Sequence, residues 1–244
     1  MHAASAVLAA LALAAPAARA AHPMITEDPG TLGAGRAELE LGASATRGDP
    51  AAGRYGAFTS QLTVGALPAL DLIVLPRYVA QPAGSDGASG WSDVALDAKW
   101  RFLGGDELQA AVRFGVDVPG QGTPPSARSS DVEMHATLAF AVPVGDTSAL
   151  ANVGYARARA PGERTSRPYA SAAWLVPAEG PLRGFVEAAA QANADPGRST
   201  WPAVARTGGI WSATPWLDLD AGIEGRLNRA APSVTLLVGA TLRW

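Results

Sequence analysis

The chain has 244 residues and no cysteine, which excludes disulfide frameworks, cysteine-based zinc sites and thiol catalysis. Hydrophobic residues make up 48% of the chain, charged residues 17%, and the formal net charge is -3, so the composition gives no basis for a nucleic-acid partner. Beyond the N-terminal stretch there is no apolar run of about 18 residues, which excludes membrane-spanning helices.

The N-terminal stretch predicts a cleaved export signal, residues 1–20. Residues 6–17 form an apolar run of the length of a signal core, and Ala18, Arg19 and Ala20 give the small-x-small pattern of a cleavage site, so we expect cleavage after Ala20. The alternative is a buried N-terminal helix, which Pro16 would break. An exported chain without cysteine is compatible with the bacterial envelope.

Residues 21–35 contain several Pro and Gly residues and no strand alternation, which predicts an irregular segment before the first strand.

From Arg36 onwards, apolar and polar residues alternate with a period of two, the pattern of strands with two different faces. The alternation is clearest at 36–46, 93–102 and 216–226. We predict twelve strands, most of about the 9 to 11 residues that a tilted membrane strand needs; the other nine lie near 56–66, 71–80, 108–118, 131–142, 148–157, 169–176, 182–192, 203–213 and 233–244.

The predicted connections alternate between long polar loops and short turns. An even strand number with short turns at one end is typical of bacterial outer-membrane barrels, with the short turns and both termini in the periplasm. The prediction for residues 36–244 is therefore an all-β fold, a twelve-stranded antiparallel up-and-down transmembrane β-barrel. A soluble β-sandwich would show the same alternation with the apolar face inward. Aromatic residues near strand ends, such as Trp100, Phe140 and Trp174, favour the barrel because they are placed as an interfacial girdle would be.

Several short motifs resemble the outer-membrane family named for the MetA pathway of phenol degradation. Residues 91–102 are similar to its Asp-containing, Lys-centred strand, and residues 152–155 to its Asn-x-Gly-Tyr strand. Similar pieces occur in the same order at 37–42, 118–120, 185–187 and 214–219. The resemblance implies a transporter of small aromatic or hydrophobic compounds. The chain ends on Trp244, where that family usually has Phe, and this last strand resembles the signal read by the outer-membrane assembly machinery.

In a membrane barrel the charged side of each strand faces the lumen. The residues expected to line it are Glu38, Glu40, Arg77, Asp93, Asp97, Lys99, Arg101, Arg113, Asp117, Glu133, His135, Arg183, Glu187, Asp218, Asp220, Glu224, Arg226 and Arg243. Both signs of charge are present, which argues against strong ion selectivity. Residues 21–35 could enter the periplasmic mouth, where Glu27 or Asp28 would bind Lys99 or Arg101; the alternative is a disordered tail.

The expected function is an outer-membrane channel or transporter for small molecules, with outer-membrane lipid and the assembly machinery as partners. Two alternatives remain open at this point: a structural barrel with a plugged lumen, and a lipid-modifying barrel enzyme using His135, which shares a strand face with Glu133. The chain contains no nucleophile, phosphate-loop, nucleotide or calcium motif. We therefore predict a protein without enzymatic activity or cofactor, and no metal site, although His22 with Glu27 and Asp28 is a conceivable one.

Overall fold

The computed structural model describes residues 22–50, 53–81, 89–119, 132–157 and 164–244. Twelve β-strands lie in these ranges, and none of their residues is helical. The strands are Ala37–Asp49 (β1), Gly53–Leu67 (β2), Leu70–Ala80 (β3), Gly90–Gly104 (β4), Gln109–Val118 (β5), Glu133–Val144 (β6), Thr147–Arg157 (β7), Ser166–Val176 (β8), Leu182–Gln191 (β9), Ala203–Thr214 (β10), Leu217–Arg226 (β11) and Val234–Arg243 (β12). The predicted export signal lies outside the described residues.

The twelve strands form one closed barrel in which each strand pairs antiparallel with its neighbours in sequence. β1 and β12 close it, with Leu39 opposite Leu242 and Thr46 opposite Thr235. The backbone of Trp244 extends this seam: its carbonyl accepts a hydrogen bond from the Ala37 N–H, and its N–H donates to the Ala37 carbonyl. The predicted fold, a twelve-stranded antiparallel barrel, is confirmed.

The two ends of the barrel differ in their connections. At one end, here called the short-turn end, β2 leads to β3, β4 to β5, β6 to β7, β8 to β9 and β10 to β11. At the other, the long-loop end, most connections are longer, and parts of four of them (51–52, 82–88, 120–131 and 158–163) lie outside the described residues. Both Ala37 and Trp244 are at the short-turn end.

The two faces of each strand differ in the way that the alternation predicts. On β4, Leu96 is 44% exposed and belongs to an outer surface of apolar side chains, whereas Asp97 beside it is 6% exposed. Acidic side chains on β1 and β11, Glu38, Glu40 and Asp218, are likewise buried on the inner face. The described residues include no helix that is long and apolar enough to cross a membrane.

The interior of the barrel is occupied in part by residues 22–35, here called the luminal segment. Met24 in this segment packs against a small apolar cluster on the inner wall of β6 to β9, which includes Leu150, Leu175 and Phe185. Thr26 and Leu32 of the segment are themselves buried. The buried core of the molecule thus lies between the barrel wall and the luminal segment.

Candidate functional site

The luminal segment leaves β1 at the short-turn end and first binds the wall at β2 and β3. The N–H of Leu32 donates to both carboxylate oxygens of Asp71, each at 3.1 Å. The N–H of Gly35 donates to the carbonyl of Gly65, at 2.9 Å. A Cβ on Gly65 would overlap the backbone of Gly33, so glycine at position 65 permits this close approach of two backbones.

Glu27 then joins the luminal segment to β4 and β5. Its two carboxylate oxygens accept separate ion pairs, from Lys99 Nζ at 2.9 Å and from Arg113 Nη1 at 2.8 Å. Arg113 also binds Asp97, with Nη2 at 2.6 Å from Oδ2. Of the contacts expected from the sequence, Glu27 or Asp28 with Lys99 or Arg101, the structure shows Glu27 with Lys99, and the second cation is Arg113 on β5.

His135 on β6 completes this ionic cluster. Its Nε2 is 2.9 Å from Asp97 Oδ1, and its Nδ1 is 3.1 Å from Asp117 Oδ2. Because carboxylates only accept hydrogen bonds, both ring nitrogens must donate, and the ring is then an imidazolium cation. Three cations (Lys99, Arg113 and His135) thus balance three carboxylates (Glu27, Asp97 and Asp117). The cluster formed by the wall and the luminal segment together is polar yet carries no net charge.

The environment of Glu27 keeps its carboxylate ionised. Burial raises the pKa of Glu27, but the charges of Lys99 and Arg113, which also donate hydrogen bonds to it, outweigh burial and lower the pKa to about 2. Its backbone is fixed as well: the N–H donates to Asn152 Oδ1 at 2.6 Å, and the carbonyl accepts from Asn152 Nδ2 at 3.0 Å. Glu27 is therefore a permanent anionic anchor at neutral pH.

Glu187 on β9 receives the next part of the luminal segment. The N–H groups of Ile25 and Thr26 donate to its carboxylate at 2.8 and 3.0 Å, and the Thr26 hydroxyl donates to it at 3.0 Å. Arg206 on β10 pairs with Glu224 at 2.6 Å and donates to the carbonyl of Pro23. Backbone donors of the segment thus satisfy a buried wall carboxylate, as polar groups removed from water require.

The amino end of the described segment lies against β11, β12 and β1. The ring nitrogen Nδ1 of His22 donates to Asp220 Oδ1 at 2.8 Å, and the backbone N–H of His22 donates to Glu40 Oε2 at 3.2 Å. The imidazole lies over Gly42 and Gly239, which are register partners across the β1–β12 seam. A Cβ at either glycine would overlap the ring, so the two glycines form a niche for His22.

Taken in order, these contacts follow the inner wall around the barrel. The luminal segment binds β2 and β3, then β4 and β5, then β7, β8 and β9, then β10 and β11, and finally β1, the same order in which the strands are paired. Wall side chains hold the luminal segment on all sides, and it is called the belt from here on. These residues do not form a disordered tail.

Two cavities lie on opposite sides of the belt. The larger, of about 510 Å³, is on the side of the long-loop end and is lined by Glu27 and Ile25 of the segment and by wall residues such as Asp117 and Tyr169. The smaller, of about 370 Å³, is on the side of the short-turn end and is lined by Asp28, Arg101 and turn residues. The belt thus lies between two spaces inside the barrel.

The predicted lumen residues fall into three groups in the structure. Those bound to the belt or to its ionic partners are Glu40, Asp97, Lys99, Arg113, Asp117, His135, Glu187, Asp220 and Glu224. A second cluster near the short-turn end joins Arg183 and Arg243 to Asp218 at 2.7 and 2.9 Å, and Arg243 to Glu38 at 2.7 Å. The remainder lie apart from both: Arg101 lines the smaller cavity, Glu133 pairs with Arg167, Asp93 is half-buried on β4, and Arg77 and Arg226 are exposed towards the long-loop end.

Sequence reasoning missed several residues that hold the belt. Asp71, Asn152 and Arg206 are isolated polar residues on strands with weak alternation or without other charges, so parity alone did not mark them. Glycines inside strands were a usable signal: Gly42, Gly65 and Gly239 weaken a strand unless another backbone or side chain comes close, and here one does.

No group of three or more His, Asp or Glu side chains that could hold a metal ion is found in the part of the chain that the structure describes. His22, which the sequence marked as a conceivable metal ligand, binds Asp220 instead, whereas Glu27 binds Lys99 on β4 and Arg113 on β5. His135 binds Asp97 and Asp117, and the Glu133 that shares its strand face pairs with Arg167.

No protein-family model matches the sequence, and no curated protein matches it either. Among solved structures, the chain is similar to an outer membrane channel from Pseudomonas putida F1, with a TM-score of 0.72 and 9% identity over 88% of this chain and 97% of that one. It is also similar to the NanC porin, with a TM-score of 0.64 and 6% identity over 84% of this chain and all of that one. At these identities the likeness establishes the fold of an outer-membrane barrel, and membership of the phenol-degradation family stays a prediction.

Proposed function

We propose that the protein is a bacterial outer-membrane channel for small molecules in which the belt of residues 22–35 is the constriction. The observation that carries the proposal is the pair of cavities, about 510 and 370 Å³, on the two sides of the belt within one barrel. An outer face of exposed apolar side chains supports a lipid setting, because such a face is otherwise rare on a stable protein. Short turns then face the periplasm and long loops the exterior.

Single-channel recording tests the proposal. The mature chain in a planar bilayer should conduct weakly, and a variant lacking residues 21–33 should conduct more, because the deletion removes the constriction and leaves the twelve strands. The deletion would expose Lys99 and Arg113 without Glu27, so it should also shift ion selectivity towards anions. An unchanged current and selectivity after the deletion would contradict a belt that limits passage.

The plugged structural barrel is the competing proposal, favoured by the number of bonds between the belt and the wall. It predicts no current from the intact chain and a measurable current from the deletion variant. A channel predicts current from both. If neither the intact chain nor the deletion variant conducts, both proposals are contradicted. The remaining explanation would be a barrel whose wall ion pairs, such as Arg183–Asp218, fill the lumen.

For the solute, we propose a small amphipathic compound, in line with the aromatic or hydrophobic class that the family resemblance implies. The larger cavity has an ionic side on β4 to β7 and an apolar side that includes Ala189, Val204 and Pro232. Pockets of this size with one apolar wall and a few polar groups suit small organic ligands. In the same recordings, phenol should interrupt the current more than inositol does. Ala189→Asp should abolish that difference, while Ala189→Val should preserve it.

Recognition by the outer-membrane assembly machinery is a further part of the proposal. Trp244 is 65% exposed and closes the seam with Ala37, so the last strand offers an aromatic end at the place where the barrel closes. Deleting Trp244 should lower the amount of heat-modifiable barrel in the outer membrane, as measured by the mobility shift of unboiled samples. The control is the same chain refolded in detergent, where the loss of one residue should matter much less. Normal accumulation in cells would contradict the proposal.

We do not propose an enzyme. A lipid-modifying reaction would need a free ring nitrogen on His135 as a base, and both nitrogens are within 3.1 Å of carboxylates in this structure. No cofactor is proposed.

A further inference from the structure

Exposed charge is distributed unequally between the two ends of the barrel. Among the described residues, the exposed charged side chains of the short-turn end are mostly acidic: Asp106, Glu107, Asp146 and Glu179, with Arg36. Those of the long-loop end are mostly arginine: Arg47, Arg54, Arg77, Arg157, Arg198, Arg226 and Arg229, with Asp195. The described part of the long-loop end therefore presents mostly positive exposed side chains, although the chain as a whole is acidic.

Two of these arginines lie side by side on the outer face. Arg47 on β1 and Arg54 on β2 are direct register partners, and both are exposed. The outer face of the same strands carries Ala43, Ala45 and Phe58 closer to the short-turn end. Both arginines continue the parity of these apolar residues, so their side chains leave the barrel on the side that would meet lipid.

An arginine pair of this kind is unfavourable without an anion. Like charges directly opposite each other on neighbouring strands destabilise the pairing. In the part of the chain that the structure describes, no carboxylate forms an ion pair with Arg47 or Arg54; Arg198, by contrast, pairs with Asp195 at 3.2 Å. The guanidinium fork binds phosphate by two parallel hydrogen bonds, so a phosphate group between the two side chains would relieve the repulsion.

The position of the pair indicates what carries that phosphate. Tyr78 and Trp91 form an edge-to-face pair on the outer face of β3 and β4, with Tyr78 in register with Phe58, as aromatic residues at a membrane interface do. Arg47 and Arg54 lie on the loop side of this level, where lipid head groups begin. We propose that Arg47 and Arg54 form a binding site for the phosphorylated sugar head of an outer-leaflet glycolipid, whose acyl chains lie along the apolar outer face. This inference rests on the proposed membrane location.

The test is lipid A binding by the refolded chain in phosphatidylcholine nanodiscs, measured by native mass spectrometry. Diphosphoryl lipid A should stay bound to the unchanged chain. In the double variant Arg47→Gln/Arg54→Gln, the loss of each arginine should weaken lipid A binding about fivefold, because one basic residue near a charged membrane surface contributes on the order of 1 kcal/mol. Arg36→Gln, at the acidic end, is the matched control and should bind as the unchanged chain does. Heat-modifiable mobility of the same double variant would establish that it is folded, whether or not the barrel conducts.

Three results would overturn the proposal. Equal binding by the double variant and the unchanged chain would exclude the arginine pair. Equal binding of fully dephosphorylated lipid A, or of phosphatidylglycerol, would exclude recognition of the phosphorylated sugar. Displacement of lipid A by millimolar inorganic phosphate would identify a site for free anions. A chain that fails to enter nanodiscs at all would contradict the proposed membrane function rather than the site alone.

Discussion

The inner and outer faces of the barrel wall follow opposite rules for the same strands. On β4, Leu96 is largely exposed on the outer face, while its neighbours Asp97 and Lys99 are buried on the inner face. A water-soluble protein would place these residues the other way round. Burial in this molecule therefore does not identify its apolar side: ion pairs and the belt fill the interior, and the apolar side is the one left for lipid.

The two faces also differ in how they tolerate change. Inner-face side chains have named partners, such as Arg113 with Asp97 and Glu27, so the loss of one partner leaves a buried charge unpaired. Outer-face side chains such as Leu96 and Val238 are exposed apolar groups with few such partners. Substitutions on adjacent residues of one strand can therefore separate the two faces.

The largest effect is expected for Leu96→Arg, which places a cation on the outer face near the middle of the lipid-facing band. It should lower the free energy of unfolding by about 2 to 4 kcal/mol in a denaturant titration of the barrel refolded in lipid vesicles. Ala95→Arg is the matched control, because Ala95 lines the larger cavity and pairs in register with Asp117, which could accept the new guanidinium. Asp97→Arg would be a poor control, since Asp97 binds both Arg113 and His135. If Ala95→Arg and Leu96→Arg lowered the free energy of unfolding equally, the distinction between the two faces would be contradicted.

An intermediate effect is expected for Gly42→Ala on the inner face. The new Cβ would overlap the His22 imidazole, so the amino end of the belt must leave its niche, at a cost of about 1 to 3 kcal/mol, as for other overpacked sites. The chain has no cysteine, so a bimane label attached through Met24→Cys would report displacement of the belt. Gly225→Ala, with no atom within 4 Å of its Cβ, is the control. An unmoved label in Gly42→Ala would contradict the niche.

The smallest effect on the position of the belt is expected when the pH of the buffer is lowered mildly. Glu27 has a pKa of about 2 when the belt is bound, below the ordinary value of 4.5, so its contribution to belt binding is complete above pH 4.5 and is lost as the pH falls from there through 2. The bimane signal should therefore stay constant from pH 7 to 5 and change only below that range. In Glu27→Gln this contribution should be absent at every pH. A Glu27-dependent transition near pH 6 would contradict the paired state of Glu27.

How much of this architecture the sequence predicts differs between the wall and the belt. The period of two marked most strands and their polar sides, because adjacent side chains of a strand point to opposite faces whatever the tertiary structure is. On β3, β8 and β10 the alternation is weak, so it did not mark Asp71 or Arg206. The alternation of short and long connections likewise gave the up-and-down order. For the belt, composition indicated only irregular backbone, and charge complementarity suggested Lys99 or Arg101 as partners of Glu27 or Asp28.

The sequence by itself determined the all-β class, the strand number and the charged sides of most strands, because these depend on local periodicity. Only the tertiary structure decided which charges meet. Arg113 and Glu27 are far apart in the chain, and so are His22 and Asp220; they come together because the belt passes around the closed wall. Barrel closure likewise brings Gly42 to Gly239, and with them the niche for His22. These contacts depend on register across the seam and on the path of an irregular segment, and neither is encoded in a repeating pattern.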